Sequence, residues 1–145
     1  MPTTTFRSDV ATNVTALLAT YAAAHPTMLR ATARRRPSSF ATGEMPIAYL
    51  ASRDERIDHT AGTRGREMQV AVEILDMLVD SVEAADRMDD LVDGLLDMFT
   101  TNYHGAATGT ILEPIGVEDG ELDVNGAVYA MGRITLRIRI REGRS

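Results

Sequence analysis

Two periods run through the apolar positions of this chain. Over residues 9–24, Val10, Val14, Leu17 and Tyr21 recur at intervals of four, three and four, which gathers them on one face of a helix. Ser8 stands where an N-cap belongs, and His25-Pro26 ends the helix because the residue before proline is pushed out of the α region. In MQVAVEIL the period falls to two. Met68, Val70, Val72 and Ile74 take one side, and Glu67, Gln69, Ala71 and Glu73 the other, as in a strand with one wet face. The same alternation returns in RITLRIRIRE (133–142), where Ile134, Leu136, Ile138 and Ile140 oppose Thr135, Arg137, Arg139 and Arg141.

A second helix is expected from about 81 to 103, ending near Gly105. Ala85, Met88, Val92, Leu95 and Phe99 mark its apolar face, and Asp86, Asp90, Asp93 and Asp97 the opposite one. Asp80 and Glu83 imitate a capping box at its start. The remaining segments are less periodic. Residues 28–46 read as a loop with room for a short helical turn, PIAYLAS (46–52) as a short strand, and DERIDHTAGTRGRE (54–67) as a polar connection. TILEPIGVED (110–119) and the turn signals Asp119-Gly120 and Asn125-Gly126 set up a meander, with room for an extra short strand at 122–124. The sum is an α+β fold in the order α-β-β-α-β-β. It is a two-layer sandwich with two helices on one face of an antiparallel or mixed sheet of four to five strands.

Composition narrows the class. The 145 residues suit one domain spanning 1–145, with a core that needs no staples, and an apolar share of 44% and charged share of 25% are globular values. With no cysteine, thiolate catalysis, disulfides and Cys-based metal sites are excluded. No apolar run approaches the roughly 18 residues of a membrane span, and the N-terminus lacks a signal peptide's apolar block, so cytosolic synthesis is expected. The net charge of −6 argues against general nucleic-acid binding. Between Asp80 and Asp97 seven acids face Arg87 alone, a balance of −6. One segment therefore accounts for the whole net charge.

Candidate chemistry is sparse. The Asp face would suit a divalent cation in number, but carboxylates on a convex helix face diverge, so solvent or a protein partner fits them better. The histidines, His25, His59 and His104, form no metal-ligand spacing, no G-x-S-x-G elbow is present, and a phosphate-binding P-loop would need a lysine that the chain lacks. An enzyme or ligand-binding reading would rest on Asp58, His59 and Arg64. RRRPSS (34–39) reads as a solvated loop or a phosphate contact, and the stretch holding Thr63, Arg64 and Arg66 as a hairpin connection or a contact loop. For the arginine strand, alternation places Arg137, Arg139 and Arg141 on the sheet face away from the helices, while the Asp row points outward from its helix. The two stripes therefore cannot satisfy each other within one subunit. Cross-strand Glu67 and Glu73 would absorb some of the positive charge, or a neighbouring copy would, in a head-to-tail contact that can close into a ring.

The opening TTFRSDVATNVTALLATYAAAHP, the central HTAGTRGREMQVAVEILDMLVDSVEAADRMDDLVDGLLDMF and the closing ILEPIGVEDGEL with its final REGR resemble the tail terminator, or tail-completion, proteins of long-tailed bacteriophages, particularly those of actinobacterial hosts. That resemblance implies a structural virion protein with no catalysis and no cofactor. Such a protein forms a hexameric ring on the head-proximal end of the tail tube, stops tube polymerisation and joins tail to head. Its implied partners are further copies of itself, the tail tube protein, head–tail connector proteins, and genomic DNA only as it passes through the lumen, with no membrane. It would assemble in the host cytoplasm and end in the neck of the virion. A neighbouring head-completion or connector protein shares the same plan and is the alternative, followed by a small non-viral binding domain or adaptor. Under the ring reading, the subunit or partner interface draws on Arg137, Arg139, Arg141, Asp86, Asp90, Asp93, Asp97, Thr63, Arg64 and Arg66.

Overall fold

A computed structural model describes residues 6–40, 42–60, 63–77, 81–106 and 110–143. Helix α1 (Phe6–Ala24) is followed by a short strand β1 (Ala31–Ala33), a 3-10 turn (Thr42–Glu44), and strands β2 (Ile47–Thr60) and β3 (Thr63–Met77). Helix α2 (Ser81–Thr101) then leads to β4 (Ile111–Val124) and β5 (Ala127–Gly143). The five strands form one mixed sheet in the order β1-β2-β3-β5-β4, antiparallel except where β1 pairs parallel to β2. The α+β class stands, with one strand more than the expected order contained. β1 arises inside the segment expected to be loop.

The main core lies between the helices and one face of the sheet. Val10, Val14, Leu18 and Tyr21 of α1 and Ala84, Met88, Leu91, Leu95 and Phe99 of α2 meet Val70, Val72, Ile74, Ile134, Leu136 and Ile138. Each buried Val, Leu, Ile, Met or Phe among them contributes roughly 1.5–3 kcal/mol by leaving water, far more than propensity supplies to helices of this length. Two details of the helical reading change. On α2 the buried face turns toward Ala84 and Leu91, and Ala85 is exposed. α1 begins at Phe6, so Ser8 sits inside its first turn rather than at its cap; Asp80, of the expected capping box, lies outside the described residues. The helices approach closely at Gly94, where a Cβ would collide with the Tyr21 side chain.

The other face of the sheet is not uniformly wet. At the end nearest the β4–β5 turn, Met45, Ile47, Tyr49 and Leu75 form a second cluster, with Phe40, Met77, Leu122, Tyr129 and Met131 packed against it. Phe40 lies 6.4 Å from the Tyr49 ring and 5.6 Å from Tyr129. The segment between β1 and β2 thus covers part of that face.

Two connections expected from polarity are strands instead. Residues 54–60 and 63–67 extend β2 and β3 as a ladder from Asp54↔Gln69 to Thr60↔Thr63. Arg56 and Ile57 of this hairpin are exposed and no apolar period develops along it; ladder hydrogen bonds and cross-strand charges such as Arg66 on Glu55 hold it. Asp119-Gly120 is likewise no turn, because Asp119 pairs with Gly132 and Gly120 with Met131 in one continuous β4. The turn at Asn125-Gly126 is present, with φ of 54° and 88°, the left-handed pair that a two-residue hairpin requires. The outer edge of β4 carries Pro114, a register shift beside it, and the acids Glu118, Asp119, Glu121 and Asp123. Those features discourage further strands from adding.

Candidate functional site

Arg133, Arg137 and Arg139 of β5 stand on the face away from the helices, and much of their charge is met inside the subunit. Arg137 donates to Glu113 of β4, with Nε at 2.9 Å and Nη2 at 2.5 Å from Oε1. Arg139 Nη2 lies 3.2 Å from the same oxygen. The hydrogen bond from Arg137 holds the Glu113 carboxyl below its usual range, and the charges of Arg137 and Arg139 add to that effect. The expected partners, Glu67 and Glu73, have different roles. Glu67 pairs in register with Arg139 and only reinforces the field around Arg137, and Glu73 is occupied elsewhere. The side chain of Arg141 lies outside the described residues.

Glu73 is the centre of a buried polar cluster that the alternating pattern did not reveal. It is fully buried, and it accepts from Tyr49 Oη, from Arg36 Nη2 at 2.5 Å and from Arg133 Nη2 at 2.7 Å. Burial opposes its ionisation, but the hydrogen bonds from Tyr49, Arg133 and Arg36 outweigh it and leave the carboxyl below its ordinary pKa. Burial and the neighbouring carboxylate push the Tyr49 hydroxyl well up. Arg36 comes from the segment that covers the second cluster, so Glu73 pins that segment to the sheet. The cluster therefore reads as a fastening rather than a reactive centre.

On α2, Asp86, Asp90, Asp93 and Asp97 are all exposed. The one arginine of that helix, Arg87, lies 3.1 Å from Asp76 and 3.4 Å from Glu83. Among the described residues no basic side chain pairs with any of the four aspartates, and no group of three or more His, Asp or Glu is placed to hold a metal ion. A cleft of about 630 Å³ opens beside the start of α2, with Asp76, Arg87 and Asp90 in its wall. Two of its charged groups, Asp76 and Arg87, are already paired with each other.

The hairpin separates the remaining candidates. Arg66 turns inward, 2.5 Å from Glu55, with its guanidinium 4.7 Å from the Phe6 ring centroid. It ties the hairpin to α1. The side chains of Thr63, Arg64, Asp58 and His59 lie outside the described residues, although the ladder sets His59 opposite Arg64 and Asp58 opposite Gly65. The other two histidines sit at helix ends, His25 against Tyr21 at 4.4 Å and His104 with Nδ1 3.0 Å from the Thr110 carbonyl.

A basic recess is only half legible in the sequence. Arg34 and Arg35 of the RRRPSS run meet Arg7 of α1 and Arg53 of β2 around a hollow of about 290 Å³. The run itself was the signal. Its partners are Arg7, 27 and 28 positions back, and Arg53, 19 and 18 positions ahead on a bulged strand, and no pattern connects them.

Comparison with protein-family models finds no match, and comparison with curated proteins finds none either. Among the described residues no helix is long and apolar enough to cross a membrane.

Proposed function

We propose that this chain is a ring-forming structural protein of a long-tailed bacteriophage, acting as a tail terminator at the head-proximal end of the tail tube. The observation that carries this reading is the row Asp86, Asp90, Asp93 and Asp97, exposed and without counter-charge from any described residue. A solvated row of like charge costs self-repulsion in the monomer, and a neighbour of opposite sign relieves it. The sequence resemblance to tail terminators supports the same reading. In it the helices make one layer and the sheet the other, with helix, two strands, helix and two strands as the common plan and β1 as an addition. Six copies close through heterologous contacts. One rim of the ring meets the tail tube protein and the other the connector proteins, and the genome passes through a lumen with no affinity for it. The reading needs no cofactor and assigns no catalytic residue. Assembly takes place in the host cytoplasm, and the product stays in the virion neck.

Electron micrographs of tails assembled with and without the protein test this. A terminator's absence gives overlong tubes, whereas tails of normal length that fail to join heads would transfer the chain to the neighbouring connector layer. Unchanged tails that join heads normally would refute both. Mass measurement of the purified assembly gives about six times the 15.8 kDa of one chain if the ring forms unaided.

A further inference from the structure

We infer that the recess lined by Arg7, Arg34, Arg35 and Arg53 is the acceptor for the acidic face of α2 on a second copy of this chain. The inference rests on the ring reading and names the contact that would close the ring.

The recess is built by three elements. β1 pairs with residues 47–49 of β2, and among the described residues no strand pairs with the outer edge of β2 beyond Tyr49. A register shift between Leu50 and Ser52 then bends that edge, as a bulge does when it re-aims a side chain. Arg53 is turned under α1 and donates to the Arg7 carbonyl at 3.2 Å. The chain leaving β1 brings Arg34 over the helix, where it donates to Thr12 Oγ1 at 3.3 Å.

The charges in this hollow are largely uncompensated. Arg7 faces Glu55 at 3.2 Å, but Glu55 is also the partner of Arg66. Among the described residues no carboxylate pairs with Arg34, Arg35 or Arg53. Asp54, next along the strand, points to the opposite face. Burial lowers the pKa of Arg53, and the charges of Arg7, Arg34 and Arg35 lower it further. A cluster that repels itself in this way is stabilised by an arriving anion.

The occupant follows from what else the molecule presents. Arg137 and Arg139 already share Glu113, so they are the weaker acceptor for acid. The four aspartates of α2 recur at intervals of four, three and four and span about 16 Å at 1.5 Å per residue, and guanidinium forks match carboxylates in plane and spacing. A nucleic-acid backbone fits less well. It would need a track of cations rather than one hollow, and it would meet a chain of net charge −6. Nor can α2 reach the recess of its own subunit. It packs over β4 and β5, while the recess lies beyond α1 at the β2 edge. Joining the two surfaces is therefore head-to-tail, the type of contact that propagates or closes into a ring.

Two charge-reversed variants test it, R34E/R35E and D90R/D93R, all four positions being exposed. Circular dichroism first checks that both melt like the wild type, and sedimentation velocity then follows self-association. The expected result is that each variant alone associates at least roughly 100-fold more weakly than wild type. An equimolar mixture recovers at least a heterodimer, because the intact α2 of one meets the intact recess of the other. If R34E/R35E assembles like wild type while D90R/D93R does not, the recess is not the acceptor and the ring reading survives. If wild type stays monomeric at every concentration and salt, this contact is refuted, and tail length in the micrographs decides the ring reading separately. A short DNA duplex that binds wild type at 0.15 M salt but not R34E/R35E, with assembly unchanged, would give the recess to nucleic acid and overturn the proposal.

Discussion

Glu73→Gln is the substitution with the largest consequence that the fold makes calculable. The glutamate is fully buried and takes hydrogen bonds from Tyr49, Arg36 and Arg133. The amide keeps the shape but removes the charge that two guanidiniums face, and it turns an NH2 group toward one of them. Breaking a buried pair by removing one partner costs about 3–5 kcal/mol. The guanidinium side chains of Arg36 and Arg133 keep 42% and 34% of their exposure, so water takes up part of the loss and about 3 kcal/mol is expected. For a chain of this size that lowers Tm by roughly 6–12 °C. Urea titration supplies ΔΔG through the midpoint, provided the slope is unchanged. The pH dependence is a second, independent check. The folded pKa of Glu73 lies below the ordinary 4.5. Its contribution is therefore complete above that pH and is lost as pH falls through the folded value. The gap between wild type and variant should narrow from pH 7 toward pH 3. A ΔΔG below about 0.5 kcal/mol at pH 7, or one that stays constant down to pH 3, would refute the assignment of Glu73 as the fastening of the Arg36 segment.

Gly94→Ala places a methyl group against the Tyr21 ring, with Cζ at 3.1 Å, and should cost about 1–3 kcal/mol as overpacking. Adding Tyr21→Phe removes the colliding hydroxyl and should return part of that stability in a thermal melt; no recovery would mean that the helices approach elsewhere. At the β4–β5 turn, Gly126 has a φ of 88° and accepts no side chain without strain, so Gly126→Ala should lose about 1–2 kcal/mol in urea titration. Asp123→Ala removes the acceptor 2.9 Å from the Gly126 amide and should lose less, because that hydrogen bond is exposed to water.

Much of the fold is legible in the chain because burial on one face leaves a period behind. α2 announces itself through Met88, Val92, Leu95 and Phe99, and β5 through Ile134, Leu136 and Ile138, all of them buried as their spacing implies. The Asn125-Gly126 turn is legible for a local reason, since few residues tolerate that backbone conformation. The distal part of the β2–β3 hairpin, residues 54–60 and 63–67, is not legible, because polar residues fill most of it and its order comes from ladder partners on another strand. Glu73 shows the same limit from the other side. Alternation put it on the wet face, correctly as to direction, but a folded-back segment covers that face with Phe40, Met45 and Arg36.

The candidate interface divides along the same line. The acidic row of α2 is a property of one helix and its 3.6-residue period, so the sequence by itself determined that those carboxylates share a face. It also determined that Arg137 and Arg139 of β5 point away from the helices. Which of those arginines were already neutralised depended on Glu113, set opposite Arg137 only once β4 and β5 paired. The four-arginine recess depended on a bulge in β2 and on the path of the chain between β1 and β2. Charge periodicity is local and survives in one dimension. Charge compensation is a matter of distance in space, and for residues as far apart as Arg7 and Arg53 only the tertiary structure decided it.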